Sequence, residues 1–107
     1  MKSVNTFSLS GRLTSDARYF ESKNGNIARF SIAHNFGRGQ AALFVDAVMF
    51  PKKGETLPED LLKKGTPVLI SGYMKPNLNT KDGKTNTTTD FVVTSLSANE
   101  VEDEGAE

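Results

Sequence analysis

Alternating apolar and polar residues recur in short stretches along the chain, and each stretch predicts a β-strand with one buried face. The clearest example spans residues 41–50. Its apolar face carries Leu43, Val45, Ala47 and Met49. Its other face carries Phe44, Asp46, Val48 and Phe50. Because Asp46 marks this second face as exposed to solvent, the pattern predicts two large aromatic side chains on an exposed surface.

Similar stretches predict four further strands, at 4–13, 27–35, 66–75 and 87–96. Residues 17–22 extend or follow the first of them. An isolated glycine, Gly11, interrupts that first stretch and indicates a bulge or a sharp bend. Residues 23–26 contain an Asn-Gly pair, which readily adopts the positive φ angles of a type I′ turn and predicts a hairpin.

The pattern changes after Phe50. Residues 56–65 predict one short helix, because Glu59 and Asp60 would lie near the positive end of its dipole and Gly65 would end it. The polar stretch 76–86 predicts a long loop or hairpin tip. Five strands with a short helix between the third and the fourth predict an all-β, five-stranded Greek-key barrel, the OB-fold. The outer face and the loops of that fold are open to extended polymers.

The composition excludes several classes of protein. A chain of 107 residues is long enough for one hydrophobic core and too short for two. It contains no cysteine, which excludes disulfides and thiolate zinc sites. No apolar run reaches the roughly 20 residues of a membrane helix, and the N-terminal segment lacks the apolar stretch of a secretory signal. We therefore expect an intracellular, cytoplasmic protein.

Charge is distributed unevenly along the chain. The formal net charge is zero, but five of the 13 acidic residues fall in residues 100–107. Residues 1–99 hold all 13 Lys and Arg against eight acids, a net charge of +5 that favours an anionic partner. We expect residues 1–98 to form the domain and residues 99–107 a short, disordered acidic tail. The tail is either a solvated extension or a mask that competes for a basic surface.

The sequence offers little support for catalysis. The one histidine, His34, ends a predicted strand, and no His or carboxylate cluster has the spacing of metal ligands. Nucleophilic catalysis would need a serine or cysteine beside a base. We therefore expect no enzyme, no cofactor and no metal.

The exposed aromatic residues have two explanations. Phe44 and Phe50 would lie roughly 20 Å apart on one strand face, and each ring could stack on a nucleobase for roughly 1–3 kcal/mol. Phosphates would then need cations near this track. The outward or loop positions that could supply them are Arg12, Arg29, Arg38, Lys52, Lys53 and Lys75. Alternatively, both rings could be buried against a second protein chain, and the pattern alone leaves the two explanations open.

Four motifs follow one another along residues 4–96: VNTFSLSGRLTSDAR, NGNIARFSIAHN, FVDAVMF and LLKKGTPVLISGYMK. Their order and spacing together resemble the bacterial single-stranded DNA-binding protein family, SSB. The resemblance implies an OB-fold that binds single-stranded DNA without sequence preference, at the nucleoid, in replication, recombination and repair.

The resemblance also implies which residues contact DNA. Phe44 and Phe50 match the family's stacking aromatic residues, and Phe36 lies near a third such position. Basic positions along the family's DNA path are matched by Lys52, Lys64 and Lys75. The residues themselves add two further candidates, Lys81 and Lys84, at the tip of the polar stretch. This tip is either an ordinary disordered hairpin tip or a segment that closes over bound DNA or packs between tetramers.

The resemblance implies a homotetramer, with a dimer as the next possibility. Two departures from the family pattern stand out: Asn79 occupies a position that is often aromatic, and the acidic tail lacks the apolar tip that docks on replication and repair proteins. Two rival functions remain. One is a primosome-like adaptor whose aromatic face binds protein, and the other is an OB-fold nuclease, against which the missing carboxylate cluster argues.

Overall fold

The computed structural model describes residues 3–23, 25–51 and 56–99, and its regular structure there is almost entirely β. The strands are β1 (Phe7–Leu13), β2 (Arg18–Ser22), β3 (Gly25–His34), β4 (Leu43–Met49), β5 (Pro67–Lys81) and β6 (Lys84–Ala98). The predicted all-β class is confirmed, with six strands instead of five because residues 18–22 form a strand of their own. No helix within these ranges has the length and apolar character to cross a membrane.

The strands form one mixed sheet in the order β1-β5-β6-β4-β3-β2. Neighbouring strands are antiparallel except β4 and β6, which run parallel. β1 pairs with β5 from Phe7 to Arg12 and also with β3 through Arg12 and Leu13. The first strand therefore contacts both halves of the sheet, an arrangement that supports the predicted OB-fold.

The helix predicted at 56–65 is wrong. Within that segment, the regular structure is one 3₁₀ turn, Glu59–Leu61. The favourable charge pattern is not sufficient because so short a helix is marginal without tertiary support. Here the backbone bonds to other elements instead: the carbonyl of Leu62 accepts a hydrogen bond from the N–H of Ala17 at 3.0 Å. The segment serves to carry the Leu62 side chain into the core.

The loop predicted at 76–86 is also wrong, whereas the hairpin that was its alternative is present. β5 and β6 remain paired out to Lys81 and Lys84, which flank a two-residue turn. The turn residues, Asp82 and Gly83, have φ of 58° and 79°, which is the pattern of a type I′ hairpin.

We call residues 75–90 the arm, because there β5 and β6 pair only with each other. Polar composition suggested a loop, but threonine is β-branched and favours paired strands. Thr80 and Thr85 lie opposite each other, and their hydroxyl groups are hydrogen-bonded at 3.0 Å. Cross-strand pairs of this kind stabilise a ribbon that has no core beneath it.

The two faces of the arm differ in chemistry. Because side chains alternate across a strand, one face is built from lysine and from polar side chains. These are Lys75, Asn77, Asn79, Lys81, Lys84, Asn86, Thr88 and Asp90. The opposite face holds apolar and threonine side chains. These are Pro76, Leu78, Thr80, Thr85, Thr87 and Thr89.

The outer edge of β5 has no strand partner beyond Gly72 in the described part of the chain. At Met74 a side chain takes the place of a strand. The amide of Asn5 donates to the Met74 carbonyl at 2.5 Å and accepts from the Met74 N–H at 3.0 Å.

The core lies between the inward faces of the strands and is closed by Leu62. Its main buried side chains are Leu13, Ala28, Phe30, Ile32, Ala47, Met49, Val68, Ile70 and Val93. Two predictions for residues 41–50 are wrong. Leu43 remains 44% exposed because it lies at the strand end, whereas Val48, predicted to face solvent, is 1% exposed. Val48 lies between Arg29 and Val92 in a central strand, so its neighbours cover it from both sides.

Gly11 marks a close approach of two strands. It stays in register with Val68 of β5, so it forms no bulge there. A β-carbon added at Gly11 would lie 2.5 Å from the carbonyl oxygen of Ala33 and would also contact Ile32. Only glycine lets β1 approach β3 this closely.

Candidate nucleic-acid interface

The outward face of the sheet is organised in rows that cross the strands. Register places one outward residue from each of five strands side by side. In order from β2 to β5 these residues are Arg18, Arg29, Val48, Val92 and Tyr73. The row thus has two arginines at its β2 end and a tyrosine at its β5 end, with two buried valines between them.

Phe44 and Phe50 lie on this face, as the sequence predicted. Phe44 is 67% exposed and Phe50 40% exposed. Strand geometry separates the two by roughly 20 Å. The Lys75 ammonium lies 5.8 Å from the centre of the Phe50 ring, so a cation and an aromatic face are already combined there.

A polar groove of about 750 Å³ runs between the sheet and the arm. Its floor carries Ser31 and Asp46, and its walls include side chains of both charge signs. These wall residues are Asp16, Arg18, Arg29, Lys64, Asn77, Thr88 and Asp90. The groove brings together two of the predicted cations, Arg29 and Lys64.

Asp90 connects the arm to β3 and is 6% exposed. Its carboxylate accepts hydrogen bonds from both terminal nitrogens of Arg29, at 3.4 and 3.5 Å, and from the Asn77 amide at 3.3 and 3.5 Å. This is the one ion pair within residues 3–23, 25–51 and 56–99. Arg29 therefore links β3 to the arm through this ion pair, and its side chain stays partly exposed to the groove.

Replacing Asp90 by alanine is expected to lower the free energy of unfolding by about 1–3 kcal/mol, because Arg29 and Asn77 lose a shared, buried acceptor. Urea denaturation measures this directly. Asp60→Ala, at an exposed position of the 3₁₀ turn, is the control and should cost within about 0.5 kcal/mol. Equal stability of the two variants would contradict the role given to Asp90.

The remaining predicted residues are spread around this groove. Arg12 shares a cross-strand row with Ala33 and Phe44, and its guanidinium donates to the Gly65 carbonyl at 3.0 Å. Lys64 is exposed at the groove wall, where its backbone N–H donates to Asp16 at 2.8 Å. Lys81 and Lys84 lie apart, at the tip of the arm. Lys52 and Lys53 lie outside the described residues.

The segment between β3 and β4 presents Phe36 and Arg38, and both side chains are exposed. The ring of Phe36 packs edge-to-face against His34, with 4.9 Å between the centres. Nδ1 of His34 donates a hydrogen bond to the Ser10 carbonyl at 2.7 Å. His34 thus fixes the start of this segment on β1.

Several residues of the face were missed from the sequence. Arg18 becomes apparent only from the observed hairpin register, which pairs Ser22 with Gly25 and Arg18 with Arg29. The predicted type I′ turn, centred on residues 24 and 25, would pair Arg18 with Ser31 instead, and residue 24 itself lies outside the described residues. Asp90 and Asn77 required the strand pairing of the arm, which polar composition concealed. Tyr73 is exposed at the end of the row; the sequence predicted that it lies in a strand but did not indicate it as a binding residue.

Acidic groups flank the groove near β2. Burial, and then the charges of Glu59 and Asp16, raise the pKa of the Tyr19 phenol. The phenol therefore stays protonated and can donate a hydrogen bond at any ordinary pH. No group of His, Asp or Glu within the described ranges is arranged to hold a metal ion.

An all-β mixed sheet in which the first strand contacts both halves, with exposed aromatic rings, cations and a polar groove on one face, is consistent with the OB-fold class. The model of the "Single-strand binding protein family" matches residues 4–99. The chain belongs to this family, which confirms the resemblance seen in the four motifs.

Individual proteins similar to this chain are single-stranded DNA-binding proteins. A single-stranded DNA-binding protein of Borreliella burgdorferi is 38% identical over 82 residues, which cover 70% of this chain. The chain spans about half of that curated relative, 54% of its length. A Plasmodium falciparum SSB, solved in complex with ssDNA, superposes with a TM-score of 0.72 at 18% identity and covers 94% of this chain and 98% of its own. The small single-stranded DNA-binding protein of Streptomyces coelicolor has a TM-score of 0.66 at 18% identity, covering 88% and 93%.

Proposed function

We propose that this chain binds and protects single-stranded DNA by base stacking and phosphate contacts that are independent of sequence. The observation that carries the proposal is the pair of exposed rings, Phe44 and Phe50, on one outward strand face beside a polar groove whose lining includes cationic side chains. Every base has a π face, so such rings accept any sequence. The Plasmodium falciparum relative was solved with ssDNA, which supports the same ligand here.

The proposed contacts divide by chemistry. Stacking falls to Phe44, Phe50 and, at the segment between β3 and β4, Phe36. Phosphate contacts fall to the cations of the sheet, the loops and the arm. These are Arg12, Arg38, Lys52, Lys64, Lys75, Lys81 and Lys84, with Arg29 as a positioned member of the set.

We propose an OB-fold domain of residues 1–98, closed into a barrel through β1 and β3, followed by a short acidic tail of residues 99–107. The protein would be non-enzymatic and free of cofactors and metals. It would act at the nucleoid in the cytoplasm, in replication, recombination and repair. Docking of replication and repair proteins on the tail is not part of the proposal.

A homo-oligomer, a tetramer first and a dimer next, fits two features of the surface. Within the described chain, the edge of β1 that faces away from β5 has a strand partner only at Arg12 and Leu13. Beside it lies an apolar groove of about 410 Å³. Its apolar lining consists of Phe7, Leu9, Leu43, Phe44, Val45, Met74 and Phe91. An unpaired edge beside an apolar groove favours contact with another copy of the chain.

A labelled oligo-dT titrated at about 50 and about 200 mM salt tests the proposal, with a duplex of equal length as the control. Affinity should fall steeply with salt, because each phosphate neutralised on a single strand contributes about −0.7 to the slope of log K against log salt. Lys75→Gln should make that slope less negative by about 0.7. Absence of binding at the lower salt would rule the function out.

The apolar groove also favours the second candidate, an adaptor whose aromatic face binds protein. Phe44 borders this groove and belongs to the outward face as well. The two functions therefore predict different losses for the same substitution: DNA affinity in one case and oligomer or partner binding in the other.

A further inference from the structure

Three aspartates line the groove, and Asp46 is the one on β4, between the two rings proposed to stack on bases. Asp90 is paired with Arg29, and Asp16 accepts a hydrogen bond from the Lys64 N–H. Asp46 is exposed on the outward face of β4 and lies on the groove floor. Along the strand it is roughly 7 Å from Phe44 and roughly 13 Å from Phe50. Stacking and phosphate contacts do not explain a carboxylate between the two rings.

The carboxylate of Asp46 is held in place with one oxygen available. Ser31, its cross-strand partner, donates to Oδ1 at 2.9 Å. No lysine or arginine in the described part of the chain forms an ion pair with Asp46, since the neighbouring guanidinium of Arg29 is bound to Asp90. Among the described residues Oδ2 has no hydrogen-bond partner, so Asp46, which lines the groove, retains a charged acceptor.

An acceptor in this place selects which part of a DNA strand can face the floor. Phosphate oxygens carry negative charge and are repelled by Asp46, so the backbone is directed away from it and towards Arg18 and Lys64 in the groove wall. Bases stacked near Phe44 and Phe50 then turn their edges towards Asp46. Among these edges, an amino group can donate to a carboxylate, whereas a carbonyl oxygen cannot.

We propose that Asp46 reads the exocyclic amino groups of the bases, so that this protein prefers strands containing cytosine over strands of thymine or uracil. The inference rests on the proposed function and adds a base preference to it. Cytosine presents its N4 amino group, a known partner of Asp and Glu side chains. Thymine and uracil present a carbonyl oxygen at the same ring position, and this oxygen is repelled by the carboxylate because both groups only accept hydrogen bonds.

Oligo-dC and oligo-dU of equal length form the matched pair of probes, because their bases differ only in the amino or carbonyl group at C4 and the adjoining N3 proton. Titration slightly above neutral pH keeps the cytosine ring unprotonated. The wild-type protein should bind oligo-dC at least about fivefold more tightly, the lower end of discrimination by one good base contact.

Asp46→Asn preserves the shape of the side chain and can still receive the Ser31 hydrogen bond. Because the amide oxygen accepts from Ser31, the amino group takes the place of Oδ2 and can only donate. The variant should therefore bind oligo-dU more tightly and oligo-dC less tightly, and bring the ratio of the two affinities to one or below. Asp60→Asn is the control: it removes the same charge from an exposed carboxylate that lines neither groove, and it should keep the wild-type ratio.

Three results would overturn the inference. Equal affinity of the wild-type protein for the two probes would exclude a base preference. If Asp46→Asn tightens both probes by the same factor, Asp46 is only a repulsive charge, and the proposed function stands without the preference. If neither probe binds at low salt, the proposed function fails and this inference fails with it.

Discussion

Replacing Phe44 or Phe50 by alanine is expected to weaken oligo-dT binding by about 1–3 kcal/mol each, which is roughly the contribution of one base stacked on an aromatic ring. Phe44 should have the larger effect. It is the more exposed ring, and the Lys75 ammonium already lies 5.8 Å from the centre of the Phe50 ring, where a stacked base would compete with it. Fluorescence titration at fixed salt measures the loss, and an unchanged unfolding midpoint shows that the fold is intact.

The matched control is Leu78→Ala. Leu78 is 66% exposed, nearly the same as Phe44, but it lies on the apolar face of the arm and not on the sheet. Its removal should leave oligo-dT affinity within the error of the titration. If the Phe44 and Phe50 variants bind DNA normally but elute as smaller species in size-exclusion chromatography, the two rings are a protein interface.

Gly11→Ala is expected to lower the free energy of unfolding by about 3 kcal/mol, the upper end of the usual cost of overpacking. The added β-carbon would meet the backbone of Ala33 and the fully buried side chain of Ile32, and neither can move away at little cost. The strain falls beside Arg12 and Leu13, the two residues that join β1 to β3. Urea denaturation measures the loss.

Ser8→Ala provides the comparison, since Ser8 lies on the same strand and is exposed. It should change stability by no more than about 0.5 kcal/mol. A Gly11→Ala variant as stable as Ser8→Ala would mean that β1 and β3 can separate freely, and the closure of the sheet through these strands would have to be abandoned.

The strand pattern predicted the part of the fold where burial decides the structure. Val45, Ala47 and Met49 are buried and Phe44 and Phe50 exposed, because alternation follows directly from the pleat. Val48 does not follow this alternation, since it is buried although it lies on the outward face. Its neighbours Arg29 and Val92 cover it from adjacent strands, and sheet order cannot be read from a single strand.

The arm and the groove depended on pairings that are distant in sequence. Asn77 and Asp90 meet because β5 and β6 continue as a ribbon, and Arg29 joins them only after β3, β4 and β6 are ordered in the sheet. Local composition contains no such information. The site therefore was predicted where it consists of one strand, and it was missed where four strands contribute.

The contact between Asn5 and Met74 protects one edge, the outer edge of β5 at the start of the arm, from pairing with another strand. On the outer edge of β5, alternate residues turn their N–H and carbonyl groups away from β6, starting with Met74 and Pro76. Asn5 occupies the first of these positions, and proline has no N–H to offer at the second. A strand from another molecule therefore cannot form the full set of backbone hydrogen bonds at two consecutive outward positions of β5, Met74 and Pro76. Edge-to-edge pairing of two copies of the protein through this part of β5 is therefore disfavoured.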